Sequence, residues 1–250
     1  MESFGLRTSP MSSYASVSLV HNKLRLPRSL RLRRSRHAVE GHLALNQRVR
    51  SDSFSFLKRS MDMALSFFGL VVSFPLLGCL AIVVWLQSPG PVLYRSLRVG
   101  RYGRVFVCYK FRTMVVNADN RKESLRSRNE RVGAIFKMTN DPRVTGLGKL
   151  LRRYSLDELP QLWNVLRGDM SLVGPRPHPP DDVRRYEAGD LRRLEVTPGL
   201  TGLWQVTARR DPSFRRNIAL DLEYIQRRNL WMDLTILYKT IFAVLDGTGV

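Results

Sequence analysis

The chain has 250 residues, with 41 Lys and Arg against 21 Asp and Glu, a formal net charge of +20. This excess indicates an anionic partner, for which nucleic acid, anionic lipid headgroups and phosphorylated small molecules are the three candidates. Two cysteines and four scattered histidines argue against a disulfide framework and a histidine-based metal site. The length allows one or two domains with a hydrophobic core, and we expect a reducing, cytoplasmic environment.

Residues 1–57 are rich in Arg and Ser, poor in acidic residues and almost without large apolar runs. A segment of this composition buries too little apolar surface to fold alone, so we expect a disordered basic arm. An organelle transit peptide has a similar composition. The apolar segment that follows argues independently for a membrane surface.

An uncharged, apolar run extends from Met63 to Leu86. It meets the length of about 20 residues that a helix needs to cross a bilayer. Basic residues flank it on both sides, with Lys58 and Arg59 before it and, after it, Arg95, Arg98, Arg101 and Arg104. Because Lys and Arg prefer the cytoplasmic side of a membrane, a straight span would leave one basic flank outside.

Pro75 lies near the middle of this apolar run, where it predicts a kink. We therefore expect residues 58–87 to form a re-entrant helix-hairpin that bends near Ser73 and Pro75 and returns to the same face. A full span is the alternative. Residues 88–250 would then form a cytoplasmic part.

Two β-prone runs, 92–94 and 105–114, are separated by glycines and predict a small β-hairpin. Alternation along the second strand places Val107, Tyr109 and Phe111 on one face and Lys110 and Arg112 on the other. Two cations on a rigid strand suit a phosphate group, although a solvated strand face explains the same pattern.

Further elements follow along the chain. Residues 117–131 are highly charged and helical in pattern, and residues 198–209 indicate a turn followed by a strand. A long helix is predicted for residues 213–245. Residues 230–242 mix aromatic and aliphatic side chains, which is typical of an interfacial helix and also compatible with a core helix. Arg176, between two prolines, is held in a restricted conformation.

Asp157 and Glu158 lie at the start of a short amphipathic segment that ends at Gly168. Pro160 fits the first turn of a helix. Free backbone N–H groups and the helix dipole at this position favour ionised carboxylates. Ser155 and Glu158 also fit a capping box, which is a purely structural device.

A membrane surface, several positioned cations and an acidic pair together favour phosphoryl transfer. Cations hold a diphosphate, and a carboxylate either attacks phosphorus or holds a divalent metal. A larger set of ordered motifs supports this interpretation: Lys58–Arg59, Ser88–Val92, Tyr109–Met114, Asp141–Thr145, Leu151–Arg152, Ser155–Leu162, Gly168–Pro177 and Pro198–Val206.

In this order the motifs resemble the bacterial sugar transferase family, the monotopic phosphoglycosyl transferases. The resemblance covers residues 58–245, and the chain is most similar to the short, core-only form that initiates exopolysaccharide synthesis. It implies an α/β, mainly α, membrane-associated fold with a re-entrant membrane helix-hairpin. A small β-hairpin and interfacial amphipathic helices would surround a cytoplasmic catalytic site.

The resemblance also implies an activity and its partners. A nucleotide diphosphate sugar, with UDP expected, would lose its nucleoside monophosphate to an aspartate. Polyprenyl (undecaprenyl) phosphate would then accept the sugar phosphate. The protein would lie on the cytoplasmic face of the bacterial inner membrane, in contact with anionic lipids, and no nucleic-acid partner is expected.

By the same resemblance, Asp157 is the expected nucleophile, and Glu158 helps it to bind the expected cofactor, Mg²⁺. The arginines that match phosphate-binding positions are Arg152, Arg176 and Arg209, and the basic strand motif supplies Lys110 and Arg112. The chain departs from the family at Ala208, where Gly is common before this arginine, and at Phe74, which separates the Ser and Pro of the membrane bend.

Two other classes of function compete with this interpretation. A nucleic-acid-binding protein explains the charge but not the uncharged run. A non-catalytic peripheral membrane protein explains the charge and the run, and it assigns no role to Asp157.

Overall fold

The described part of the chain is mainly helical and has two small two-stranded sheets. The elements are α1 (Asp52–Gln87), β1 (Leu93–Val99), β2 (Val105–Phe111), α2 (Gly146–Arg153), α3 (Gln161–Arg167), β3 (Ser171–Val173), α4 (Pro180–Val183), β4 (Gly199–Thr201), α5 (Leu203–Thr207), α6 (Phe214–Arg227) and α7 (Leu230–Leu245). The prediction of a mainly helical fold with small β-structure is confirmed.

This computed structural model describes residues 52–88, 90–121, 123–129, 138, 140–211 and 213–247. Residues 1–51 of the predicted basic arm, and residues 122, 130 and 131 of the predicted charged segment, lie outside the described residues. The described residues from Asp52 onward belong to one compact unit.

Helix α1 begins at Asp52, ahead of the predicted start, and has Pro75 in its interior. Within the described part of the chain it is the one helix long and apolar enough to cross a membrane, with a mean hydropathy of 2.6 over its most apolar stretch. The hydroxyl of Ser73 donates to the Gly69 carbonyl at 2.6 Å. Such a bond to the preceding turn bends helices, and Pro75 removes a backbone donor two residues later.

Both halves of α1 contact the rest of the protein. Leu70 packs against the main core of the protein, the buried cluster that contains Leu162 and Val165. Leu80 packs against a second cluster that contains Phe111 and Leu151. Between these contacts the side chains point away from the protein, and Phe74 is 75% exposed. The described part of the chain therefore leaves the middle of α1 open to its surroundings.

Strands β1 and β2 form the predicted antiparallel hairpin, in register from Leu93 opposite Phe111 to Val99 opposite Val105. The predicted alternation along β2 agrees with the structure, but the face that carries Lys110 is not a solvated strand face. Phe106 and Cys108 are buried in the main core, on the face that also carries Lys110. The hairpin packs on both sides, since Phe111 is buried with α1 and α2.

The main core joins the hairpin to α3, β3 and the two last helices. Its buried members are Phe106, Cys108, Leu162, Val165, Met170, Leu172, Val173, Tyr224 and Ile236. Strands β3 and β4 pair in parallel beside it. Helix α7 buries Ile236 in this core, while Trp231 on its other side is 78% exposed. The core interpretation is therefore confirmed for one face of this helix, and the interfacial interpretation of its exposed face stays a prediction.

Three predicted elements differ from the structure. The helix predicted for 213–245 is divided into α6 and α7, because the Asn229 side chain accepts from the Met232 N–H at 2.9 Å and caps a new helix. The strand predicted near residue 205 is helix α5, which begins after Gly202. The charged segment forms two 3₁₀ turns, Ala118–Arg121 and Glu123–Arg128, among its described residues.

Candidate active site

Asp157 and Glu158 occupy a 3₁₀ turn, Leu156–Glu158, directly ahead of α3. This is the position that the sequence predicts, and Pro160 precedes the first residue of α3. The turn follows Ser155, whose backbone is left-handed with φ of 55°. The two carboxylates are therefore placed by a sharp turn between α2 and α3.

The capping-box interpretation of this turn is wrong. Ser155 makes no capping hydrogen bond through its side chain, and its hydroxyl instead accepts from Arg209 at 2.9 Å. The Glu158 carboxylate is bound by two cations. The residues that could have formed a structural cap thus contact basic side chains.

Lys110 and Arg176 neutralise Glu158. Lys110 Nζ donates to Oε1 at 2.6 Å, and the Arg176 guanidinium contacts both carboxylate oxygens, with Nη1 at 3.2 Å from Oε2. Burial opposes ionisation of Glu158, but Arg176 and Lys110 outweigh burial and lower its pKa. Glu158 is therefore a fixed negative charge.

Asp157 has a different environment from its neighbour. Its residue is 6% exposed, and its carboxylate accepts no hydrogen bond from the described residues. Burial raises the pKa of Asp157, and the charge of Glu158 adds to this effect while Lys110 and Arg152 oppose it. Asp157 is the more basic carboxylate of the pair.

The other predicted cations are placed as follows. Arg152 donates to the Thr113 hydroxyl at 2.9 Å, and its charge acts on Asp157. Arg209 reaches Ser155, two residues before Asp157. Arg112 lies beyond the end of β2, where its guanidinium donates to the Ser88 carbonyl at the exit of α1. The structure thus gathers Lys110, Arg152, Arg176 and Arg209 at the acidic pair, whereas the Arg112 guanidinium lies beside the end of α1.

Asn164 in α3 fixes the distance between the acidic turn and the hairpin. Its side chain is fully buried, donates to the Val107 carbonyl at 2.7 Å and accepts from the Tyr109 N–H at 3.0 Å. Both bonds are made to the backbone of β2, next to Lys110. Sequence reasoning did not identify Asn164, since an isolated Asn in an amphipathic helix carries no signal for such a contact.

Helix α1 also supports the site through Lys58 and Arg59, which the sequence identifies as a basic flank and as a family motif without indicating their contacts. Arg59 donates to the carbonyls of Val165 and Leu166 at 2.5 and 2.7 Å, and so binds the C-terminal end of α3. Lys58 donates to the fully buried Asp233 at 2.7 Å. These contacts connect α1 to both α3 and α7.

The loop that carries Arg176 is held by Arg193. The Arg193 guanidinium donates to the Arg176 carbonyl at 3.0 Å and pairs with the buried Asp221. The prolines beside Arg176 restrict the loop, as predicted, and Arg193 adds a buried contact from a later part of the chain. The Arg176 side chain is therefore presented to Glu158 from a braced loop.

The residues of the site fit a divalent cation through one carboxylate. Mg²⁺ prefers oxygen ligands and is commonly bound by one or two carboxylates together with substrate phosphates. Asp157 offers unpaired oxygens, whereas Glu158 would have to leave Lys110 and Arg176. Across the described ranges, no group of three or more His, Cys, Asp or Glu side chains forms a preassembled metal site.

The comparisons with known proteins agree on one family. The family model for bacterial sugar transferases matches residues 53–247. The undecaprenyl-phosphate galactose phosphotransferase of Salmonella typhimurium is 41% identical over 83% of this chain and 44% of its own length. The UDP-glucose:undecaprenyl-phosphate glucose-1-phosphate transferase of Escherichia coli is 39% identical over 74% of this chain and 39% of its own length.

A shorter relative is matched over most of its length. The exopolysaccharide production protein ExoY of Rhizobium meliloti is 42% identical over 77% of this chain and 87% of its own length. The chain spans less than half the length of the two longer relatives. With a family match over nearly all described residues, the chain belongs to the bacterial sugar transferase family.

Proposed function

We propose that the chain is a phosphoglycosyl transferase that moves a sugar phosphate from a nucleotide sugar to undecaprenyl phosphate through an aspartyl intermediate. One observation carries the proposal: of two adjacent carboxylates, Glu158 is neutralised by two cations and Asp157 accepts no hydrogen bond from the described residues. Environments that separate the pKa values of two carboxylates assign them different roles.

In the first step, an Asp157 oxygen attacks the phosphorus that carries the sugar. The bond from this phosphorus to the bridging oxygen breaks, and the nucleoside monophosphate leaves with the electron pair. Burial makes Asp157 a more basic and therefore stronger nucleophile. Arg152 and Arg176 stabilise the charge on the phosphate oxygens during the transfer.

In the second step, a phosphate oxygen of the lipid acceptor attacks the same phosphorus. The bond between phosphorus and Asp157 breaks, the carboxylate is regenerated, and a polyprenyl diphosphate sugar leaves. Before the substrate and the metal bind, Glu158 holds Lys110 and Arg176 in place. Its negative charge also reduces the repulsion between these cations while no substrate is bound.

Mg²⁺ is the cofactor that we propose for this site, held by Asp157 and by substrate phosphates. When bound, it neutralises the negative charge of the diphosphate. Glu158 would join it after releasing one of its cations. The unpaired oxygens of Asp157 support this assignment.

The names of two relatives indicate the classes of substrate that we propose. Two of them are named for undecaprenyl phosphate, and one of these is named for a UDP-sugar donor. A chain that is 39–41% identical to them and places cations beside an acidic pair is suited to the same classes of substrate. We therefore propose a UDP-sugar and undecaprenyl phosphate, in the initiation of exopolysaccharide or another glycoconjugate.

We also propose that α1 enters the cytoplasmic leaflet of the bacterial inner membrane and returns to the same side. The support is that both halves of α1 contact the protein, that its middle is exposed and apolar, and that Ser73 and Pro75 weaken the helix there. The exposed aromatic residues of α7, including Trp231 and Tyr238, would lie at the headgroups. Neither a nucleic-acid-binding protein nor a passive anchor is favoured by the family match.

The test is the release of nucleoside monophosphate from a UDP-sugar by the full chain in membranes. Without acceptor we expect release of one equivalent per protein, and undecaprenyl phosphate should allow further turnover. Chelation of divalent cations should stop release, and Mg²⁺ should restore it. Asp157→Asn should slow release by at least about a thousandfold, because it removes the nucleophile.

The matched control is Asp181→Asn, which removes an exposed carboxylate paired with Arg184. It should release nucleotide at the wild-type rate. Release at the wild-type rate by a membrane-bound Asp157→Asn variant would refute the assignment of Asp157.

A further inference from the structure

Arg98 lies on the same face of the hairpin as Lys110. In the register of β1 and β2, Tyr94 is opposite Lys110 and Arg98 is opposite Phe106. Alternate residues of a strand face the same side, so Tyr94 and Arg98 share the face of Lys110. Arg98 lies four residues, or about 13 Å, along β1 from the position opposite Lys110. Sequence reasoning treated Arg98 only as part of a basic flank.

The Arg98 guanidinium makes few contacts for a partly buried charge. It donates one hydrogen bond, to the Pro177 carbonyl at 3.4 Å, and forms no ion pair within 4.0 Å with a described residue. A guanidinium carries five N–H donors. No Arg98 nitrogen belongs to the fully buried side-chain atoms that lack a hydrogen-bond partner, so its remaining donors are accessible to solvent or to a ligand.

The charges around Arg98 also favour a bound anion. Burial lowers the pKa of Arg98, and the like charge of Arg176 adds to this effect, while Cys108, Tyr94 and Asp182 oppose it. Burial raises the pKa of the Cys108 thiol, and burial together with Asp119 raises that of Tyr94 to about 12, so both are neutral at pH 7.

A purely structural role explains the contacts of Arg98 less well than a role in binding an anion. The Val99 N–H already connects β1 to the loop after Arg176, through the His178 carbonyl at 3.0 Å. The bond from Arg98 to Pro177 is long for a charged donor, for which distances of about 2.7–2.9 Å are usual. An anion between Arg98 and Arg176 would satisfy their free donors and remove their mutual repulsion.

We propose that Arg98 and Arg176 together bind a phosphate oxyanion of the substrate. Arg98 is thereby a substrate-binding residue, and its contact with the Pro177 carbonyl places it next to Arg176 in the chain. The inference rests on the proposed function for the source of the anion, which is either the nucleotide diphosphate or the phosphate of the lipid acceptor.

The first experiment measures binding of inorganic pyrophosphate to the full chain in detergent by calorimetry, which requires no turnover. Arg98→Met should weaken binding about tenfold, since one charge-assisted contact is lost. Arg98→Lys should have an intermediate effect. The matched control is Arg95→Met, an exposed cation on the opposite face of β1, which should bind pyrophosphate like the wild type.

Equal pyrophosphate affinity of Arg98→Met and Arg95→Met would overturn the inference, and a lowered melting temperature at unchanged affinity would assign Arg98 a structural role. If Arg98→Met does not fold, Arg98→Lys decides, because weaker binding at the wild-type melting temperature supports the proposal and wild-type binding overturns it. A chain that binds pyrophosphate through Arg98 but releases no nucleotide would refute the proposed function alone.

In the active enzyme, the KM of each substrate identifies the source of the anion. A higher KM for the UDP-sugar in Arg98→Met, at unchanged kcat, assigns the anion to the nucleotide. A higher KM for undecaprenyl phosphate assigns it to the acceptor. If neither KM changes, Arg98 binds no substrate anion and the inference is wrong.

Discussion

Arg176 binds Glu158 through both carboxylate oxygens, and Lys110 donates to one of the same oxygens at 2.6 Å. The three side chains come from a loop, a turn and a strand that are far apart in the chain. Their pairing neutralises one of two adjacent carboxylates and leaves Asp157 without a hydrogen-bond partner among the described residues. This asymmetry is the basis of the proposed chemistry.

Glu158→Gln should destabilise the protein by about 2–4 kcal/mol, because it leaves Lys110 and Arg176 close together without their anion. Adding Lys110→Met should recover part of this loss, which a double-mutant cycle of unfolding free energies in detergent would measure. Glu187→Gln, which breaks an exposed pair with Arg215, is the control and should cost below about 1 kcal/mol. Additive effects of the two site substitutions would contradict the pairing.

Lys58→Met should destabilise the protein by about 3–5 kcal/mol, since Asp233 is fully buried and would lose its cation. The Tyr224 hydroxyl, at 2.8 Å from Asp233, would remain as a neutral donor. Adding Asp233→Asn should recover much of the loss by removing the unpaired charge. Thermal unfolding in detergent measures both effects, and the exposed Lys239→Met serves as the control. An equally unstable double variant would contradict this account.

Asp141 should make stability depend on pH through its buried pair with Arg143, whose Nη2 lies 2.6 Å from the carboxylate. Hydrogen bonds from Arg143 hold the pKa of Asp141 below its usual value of 3.8. The folded state therefore releases this proton at lower pH than the unfolded chain. The stabilisation is complete above the unfolded pKa and is lost as the pH falls through the folded pKa.

The difference in unfolding free energy between the wild type and Asp141→Asn should therefore be larger at pH 6 than at pH 3. Denaturant unfolding at the two pH values measures this difference. Asp181→Asn, at an exposed carboxylate, should show no comparable change. A difference that is equal at both pH values would show that the ionised pair contributes nothing.

Single cysteines at positions 55 and 95 should react from the same side of the membrane. Ser55 and Arg95 are exposed and lie before and after the apolar part of α1. The native Cys79 is exposed within α1 and must first be replaced by Ala, whereas Cys108 is buried. An impermeant maleimide applied to intact cells and to inverted vesicles gives the comparison. Labelling from opposite sides would establish a full span.

The position of the acidic pair could be predicted because it depends on local chemistry. Pro160 restricts where α3 begins, and the hairpin follows from β-prone runs around glycines. The predicted capping box failed for a different reason. Capping depends on the backbone of Ser155, which is left-handed here, and on a Glu158 side chain that binds distant cations instead.

Two features of this protein were determined by its sequence alone. The apolar run and its basic flanks predict a membrane-type helix, and Pro160 places the acidic pair ahead of a short helix. Only the tertiary structure decided that Glu158 rather than Asp157 is neutralised, that Arg112 contacts the end of α1, and that Lys58 pairs with Asp233, 175 residues away. The physical reason is that ion pairing and burial depend on distances in space. Sequence spacing sets such distances only within a single helix, strand or turn.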